Sequence, residues 1–200
     1  MIPACFSDNN FIYLQKFKNE MSLKTEHIPH YTYGDYKLWK DDWELIDGFP
    51  FSMSPSASGK HQEISGELYF QIKTKLNGDK CNKRCYSYFE LDWIIDNSNV
   101  VRPDIAVVCG GKIKDYIKDT PLLIVEVISK SSAYRDRIVK RELYEAHKVK
   151  YYLIADPDTR KVDVYEFIDG KYEPKTLSGA NCDFLLWEEC SITLDFSIIW

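Results

Sequence analysis

The chain has 200 residues, 44% hydrophobic and 28% charged, which is enough to bury a sizeable core without help from disulfides or metals. Its net charge of −5 argues against a surface coated in phosphate-binding residues, because non-specific nucleic-acid affinity comes from clustered Lys and Arg. No apolar run approaches the roughly 20 residues of a membrane span. The N-terminus lacks the basic and apolar regions of a secretory signal, so a cytoplasmic protein with no membrane partner is expected.

Residues 1–30 carry a modest helical pattern (Phe11, Leu14, Phe17, Met21) that stops by Pro29, and are expected to form an N-terminal helical extension to one domain over 31–200. Tyr33 to Trp39 suggests a short helix. The run WELIDGFPFSMS reads as two strands around Asp47-Gly48, a dipeptide suited to the positive φ angles of a tight hairpin. Ile64, Leu68, Ile72 and Leu76 recur at helical spacing until Asn77-Gly78, predicting a long amphipathic helix.

Strands are expected at Tyr86 to Phe89, Trp93 to Ile95, Ile105 to Cys109 and Leu122 to Ile128. A helix capped by Ser131 or Ser132 then runs through Ile138, Leu143 and Ala146. Two further strands, Tyr151 to Ala155 and Val162 to Phe167, flank a turn at Asp156-Pro157-Asp158. The aromatic stretch from Gly170 to Trp200 is expected to pack on the core. Strands and helices in this arrangement predict an α/β fold.

Six cysteines (Cys5, Cys81, Cys85, Cys109, Cys182, Cys190) are expected to be free thiols in a reducing cytosol. Only Cys81 and Cys85 are close in sequence, and a single pair is weak support for zinc. Lys73, Lys75, Lys80, Lys83 and Arg84 form one local basic face. His27, His30 and His147 lack metal-ligand spacing, and the abundant aromatic residues could stack on bases but more often fill cores.

The chemistry lies in VVRPDIAVVCG and LLIVEVISK. Asp104 opens an apolar strand and Glu126 lies inside one, where an ionised carboxylate is costly unless paired, protonated or bound to metal. On adjacent strands the two could meet and hold Mg²⁺ or Mn²⁺, hard ions that prefer oxygen ligands. A nearby lysine, Lys130 or Lys140, would complete a hydrolytic site. The plainer alternative is a core Glu126 paired with Arg137, Lys140 or Arg141, and an Asp104 satisfied by backbone N–H groups.

Asp104 followed by Glu126-Val127-Ile128 resembles the PD-(D/E)XK nuclease superfamily, although Ile128 stands where that motif usually has lysine. WELIDGFPFSMSPSASGKHQ, VVRPDIAVV, LLIVEVISKSS, RDRIVKRELYEAHKVKYYLIADP and VDVYEF together resemble the Uma-type restriction endonuclease family across residues 32–168.

That resemblance implies a restriction-endonuclease-like mixed sheet flanked by helices, with the missing lysine replaced by Lys140 from the following helix. It also matches Glu44 to an acidic position near the ion and His61 to a position suited to phosphate contact or proton transfer. The implied function is Mg²⁺-dependent endonuclease action on DNA, with a homodimer serving the two strands. A silent nuclease-fold binding module, or a hydrolase of a smaller phosphoester, remains the alternative. For Lys140 an exposed i,i+4 pair with Asp136, for Glu44 an exposed hairpin position, and for His61 a helix-start hydrogen bond are the competing readings.

Overall fold

A computed structural model describes residues 29–53, 57–78, 81, 84–177 and 179–200. The expected N-terminal helix lies outside the described residues. Helix α1 (Tyr33–Tyr36) is closed by a capping box in which Thr32 and Asp35 exchange hydrogen bonds. Strands β1 (Trp43–Ile46) and β2 (Phe49–Ser52) form the expected hairpin. Asp47 and Gly48 take φ of 50° and 74°, which the dipeptide tolerates. A Cβ on Gly48 would also overlap the His30 ring.

Helix α2 (Gly59–Leu76) starts where Ser58 accepts the His61 N–H at 3.2 Å and ends at Asn77. It buries Ile64, Leu68, Ile72 and Leu76, the stripe read from the sequence. Each such side chain contributes roughly 2 kcal/mol by leaving water.

The strands β3 (Cys85–Phe89), β6 (Ile105–Cys109), β7 (Leu123–Val127), β8 (Tyr151–Asp156), β9 (Lys161–Ile168) and β10 (Lys171–Pro174) build a six-stranded sheet in the order β10-β9-β8-β7-β6-β3. Only β7 and β8 run parallel. The connection between them is helical, as parallel neighbours require. Strands β4 (Trp93–Ile94) and β5 (Val100–Val101) join the hairpin in a second sheet ordered β2-β1-β5-β4.

Because β7 alternates, its two faces feed two cores. Leu123, Val125 and Val127 pack with α2 and with the C-terminal hairpin of β11 (Asn181–Trp187) and β12 (Cys190–Asp195). Ile124 and Ile128 point the other way, toward Trp93, Leu143, Tyr144 and Tyr152. The C-terminal stretch does pack on the core, through Phe184, Leu186, Ile192, Leu194 and Phe196.

Two expectations are corrected. The segment after β7 turns helical at Ala133, directly after Ser132, whose carbonyl accepts the Asp136 N–H at 2.9 Å, but it is π-helical over Arg135–Lys140 before continuing as α3 (Arg141–Ala146). Of the described cysteines, four are paired as Cys81–Cys190 and Cys85–Cys109, while Cys182 is free and buried as expected; Cys5 lies outside the described residues. The β3–β6 register sets Cys85 opposite Cys109, a proximity invisible in sequence spacing. Cys81 and Cys85 therefore serve different partners and make no zinc pair. No described helix is long and apolar enough to cross a membrane.

Candidate active site

The β6–β7 register pairs Ile105 with Val125, which sets Asp104 and Glu126 opposite each other at one end of the sheet. The Asp104 N–H points to Glu126 Oε2 at 3.4 Å, and the Val127 N–H donates to Asp104 Oδ2 at 2.6 Å. His61, from the first turn of α2, brings Nε2 to 3.2 Å from the same Oδ2. Burial pulls the His61 pKa down, but the hydrogen bond and charge of Asp104 outweigh it and leave the imidazole above its usual range.

Position 128 points to the same face as Glu126, and there Ile128 is buried among apolar side chains. The cation arrives instead from the helix packed on that face. Lys140 Nζ lies 2.9 Å from Glu126 Oε1, 2.7 Å from Glu44 Oε1 and 3.6 Å from Asp136 Oδ1. All four residues are at most 3% exposed. Lys140 is thus no solvated helix residue, and Glu44 no exposed hairpin residue. The π-helical winding carries Asp136 and Lys140 together into this cluster, a use of the wide turn common at functional sites.

Burial lowers the Lys140 pKa, yet the charges of Glu126, Glu44 and Asp136 raise it well above the ordinary value, so its ammonium stays charged. Burial lifts the Glu126 and Asp136 carboxyls above their usual range, opposed by Lys140. Glu44, Glu126 and Asp136 surround Lys140, Arg135 lies beside Glu44, and His61 faces Asp104.

The cluster sits in the wall of a groove of about 620 Å³, also lined by Lys60, Arg102, Lys130 and Arg135. Lys130 is exposed on its rim. Of the expected basic face, Lys73, Lys75 and Arg84 are exposed and lie outside this groove lining; Lys80 and Lys83 fall outside the described residues. Arg137 pairs with Asp156 and Asp163 instead of Glu126. His30 is exposed and His147 packs edge-on against Trp93; His27 lies outside the described residues.

Sequence reasoning missed two groups. Tyr144 donates its OH to Glu126 Oε1 at 2.9 Å, and Arg135 reaches Glu44 Oε2 at 3.4 Å through Nε. The first had a signal, since Tyr144 stands four residues after Lys140 on one helix face. Arg135 had none beyond its place beside Asp136.

The family model for Uma2, described as "Putative restriction endonuclease", matches residues 34–188. The chain belongs to the Uma2 family. Among solved structures it is similar to "a putative nuclease belonging to DUF820" from Anabaena variabilis, with a TM-score of 0.68 and 18% identity, covering 84% of this chain and 96% of that one. At that identity the likeness establishes the shared fold. No curated protein matches. Within the Uma2 match lie Glu44, His61, Asp104, Glu126, Asp136 and Lys140, the whole of the buried cluster and its neighbours.

Proposed function

We propose that this chain is a divalent-metal-dependent endonuclease that hydrolyses phosphodiester bonds in DNA. The observation that carries the reading is the opposition of Asp104 and Glu126 on neighbouring strands beside an open groove, backed by a buried lysine.

The donor chemistry fits a hard cation such as Mg²⁺ or Mn²⁺: the oxygens of two facing carboxyl groups, Asp104 and Glu126. Among the described residues no three His, Cys, Asp or Glu side chains form a ready cage, which suits an ion that keeps several waters. Asp104 and Glu126 would hold it, and it would supply positive charge at the phosphoryl group and a more acidic water.

The chain's own residues do the rest. Lys140 and Tyr144 fix Glu126 Oε1, which leaves Oε2 on the Asp104 side. His61 and the Val127 N–H fix Asp104 through Oδ2. Glu44 positions Lys140. Water attacks phosphorus, the bond to the leaving oxygen breaks, and that oxygen takes up a proton. Cutting both strands of a duplex calls for two sites, so a homodimer is part of the proposal.

The test is cleavage of supercoiled and single-stranded DNA with Mg²⁺ or Mn²⁺ by the wild type, Asp104→Asn and Glu126→Gln, all verified as folded. Metal-dependent cleavage confined to the wild type is the expected result. A folded wild type that cuts neither DNA overturns it; hydrolysis of a small phosphodiester ester would then point to a small-substrate enzyme, and its absence to a binding module.

A further inference from the structure

Of the cations lining the groove, most are already committed to carboxylates. Lys140 has three within 3.6 Å and is 2% exposed. Arg102 is divided between Asp92 at 2.6 Å and Asp42 at 2.5 Å. Lys60 Nζ donates to the Pro157 carbonyl and lies 4.0 Å from Asp158. A cation paired in this way projects less field toward a phosphate in the groove.

Arg135 differs. It is the first residue of the π-helical segment, lines the groove, and has its guanidinium 5.9 Å above the Phe51 ring. Its buried Nε and Glu44 Oε2 form an ion pair at 3.4 Å without either making a hydrogen bond. That end of the guanidinium is turned to Glu44, so the donors left for a ligand in the groove are the two Nη groups, which make no hydrogen bond among the described residues. The guanidinium is a planar fork of donors whose geometry matches two oxygens of one phosphate.

We propose that Arg135 is the group that grips the non-bridging oxygens of the phosphodiester in this groove, the duty that motif resemblance assigns to Lys140. Lys140 is then a positioning residue for Glu126. Glu44 spans both cations, Oε1 to Lys140 and Oε2 toward Arg135, so it aims the phosphate contact and the metal-side carboxylate from one buried anchor. The inference rests on the phosphodiesterase reading above.

The experiment compares full-length wild type, Arg135→Ala, Arg135→Lys and Lys118→Ala in two arms. Binding of a short DNA oligonucleotide is followed by fluorescence anisotropy with Ca²⁺ over a salt series, and cleavage is followed with Mg²⁺. Arg135→Ala is expected to flatten the logarithmic salt dependence by about one phosphate contact and to lower kcat/KM about 100-fold. Added guanidinium ion restores part of the loss. Arg135→Lys keeps the charge beside Glu44, so it folds even where the alanine variant does not; it recovers the salt slope but not kcat. Lys118→Ala, which removes an exposed charge outside the groove, leaves slope and kcat/KM at the wild-type values.

An Arg135→Ala protein that is folded, with wild-type slope and kcat/KM, overturns the role of Arg135 while leaving the nuclease reading intact. If only Arg135→Lys folds, wild-type kcat in that variant overturns the bidentate contact. A wild type that binds DNA but does not cut overturns the hydrolytic reading, and the slope alone then decides the phosphate contact.

Discussion

Glu44 Oε1 and Lys140 Nζ lie 2.7 Å apart with side chains 0% and 3% exposed, so a hairpin strand and a π-helical segment are joined by a buried ion pair. Such a pair costs several kcal/mol in desolvation for each ion, and it persists because other partners share it. Glu44 also accepts the Arg102 N–H at 3.0 Å, and Lys140 also meets Glu126 and Asp136.

Removing the cation that all three carboxylates share should therefore be the costly change. Lys140→Met is expected to lose about 3–5 kcal/mol in urea unfolding. The double variant Glu44→Gln/Lys140→Met should lose less than the sum of the singles, because neutralising Glu44 removes one of the charges left stranded. Additive losses would mean that the two do not interact in the folded state.

Tyr144→Phe deletes one hydroxyl that donates to Glu126 Oε1 from a buried position. A loss of about 1–2 kcal/mol is expected, with lower kcat and little change in KM, since Glu126 is less firmly held while the groove is unaltered. A raised KM at constant kcat would place Tyr144 in substrate binding instead.

Asp156 gives a pH signature. Burial raises its carboxyl, but the Thr159 and Asp158 N–H groups and the Arg137 guanidinium outweigh this and hold the pKa below its usual 3.8. A depressed carboxyl stabilises the fold above its unfolded value and loses that contribution as pH falls through the folded one. Wild type should exceed Asp156→Asn in stability by about 1 kcal/mol at neutral pH, with the gap closing below pH 3.8. A gap independent of pH would show that the carboxylate charge is not what matters.

The cysteine pairs predict a response to reductant. Cys81–Cys190 closes a separation of 109 residues and Cys85–Cys109 one of 24, so opening both should cost about 2–4 kcal/mol for each bond. Thermal unfolding with and without reductant measures this, and peptide mapping of unreduced protein checks the pairing. An unchanged Tm, with free thiols throughout, would restore the expectation of a chain at home in a reducing cytosol.

Mg²⁺ should raise the Tm of the wild type and leave Asp104→Asn and Glu126→Gln unshifted, because a ligand that binds only the folded state stabilises it by mass action. A similar shift in all three would indicate weak surface binding elsewhere.

Local chemistry made much of the fold legible. The Asp47-Gly48 hairpin, the Ile64 to Leu76 stripe and the apolar strands each depend on a few neighbouring residues, and each stands where it was expected. Asp104 and Glu126 stood out because charge inside an apolar strand needs a reason, and Lys140 was one of two lysine candidates until family resemblance singled it out.

What tertiary structure decided is everything that depends on register and on which face meets which. Glu44 looked as apt for a surface as for a site until β1 packed beside β5 and buried it. The cysteine pairs and the meeting of Glu44 with both Lys140 and Arg135 arise from contacts between segments far apart in the chain. The amino-acid order by itself determined the elements and the residues able to do chemistry, because propensity and periodicity are local. Only the folded arrangement settled which of those charges remain available to a substrate, because burial and pairing are set by distant neighbours.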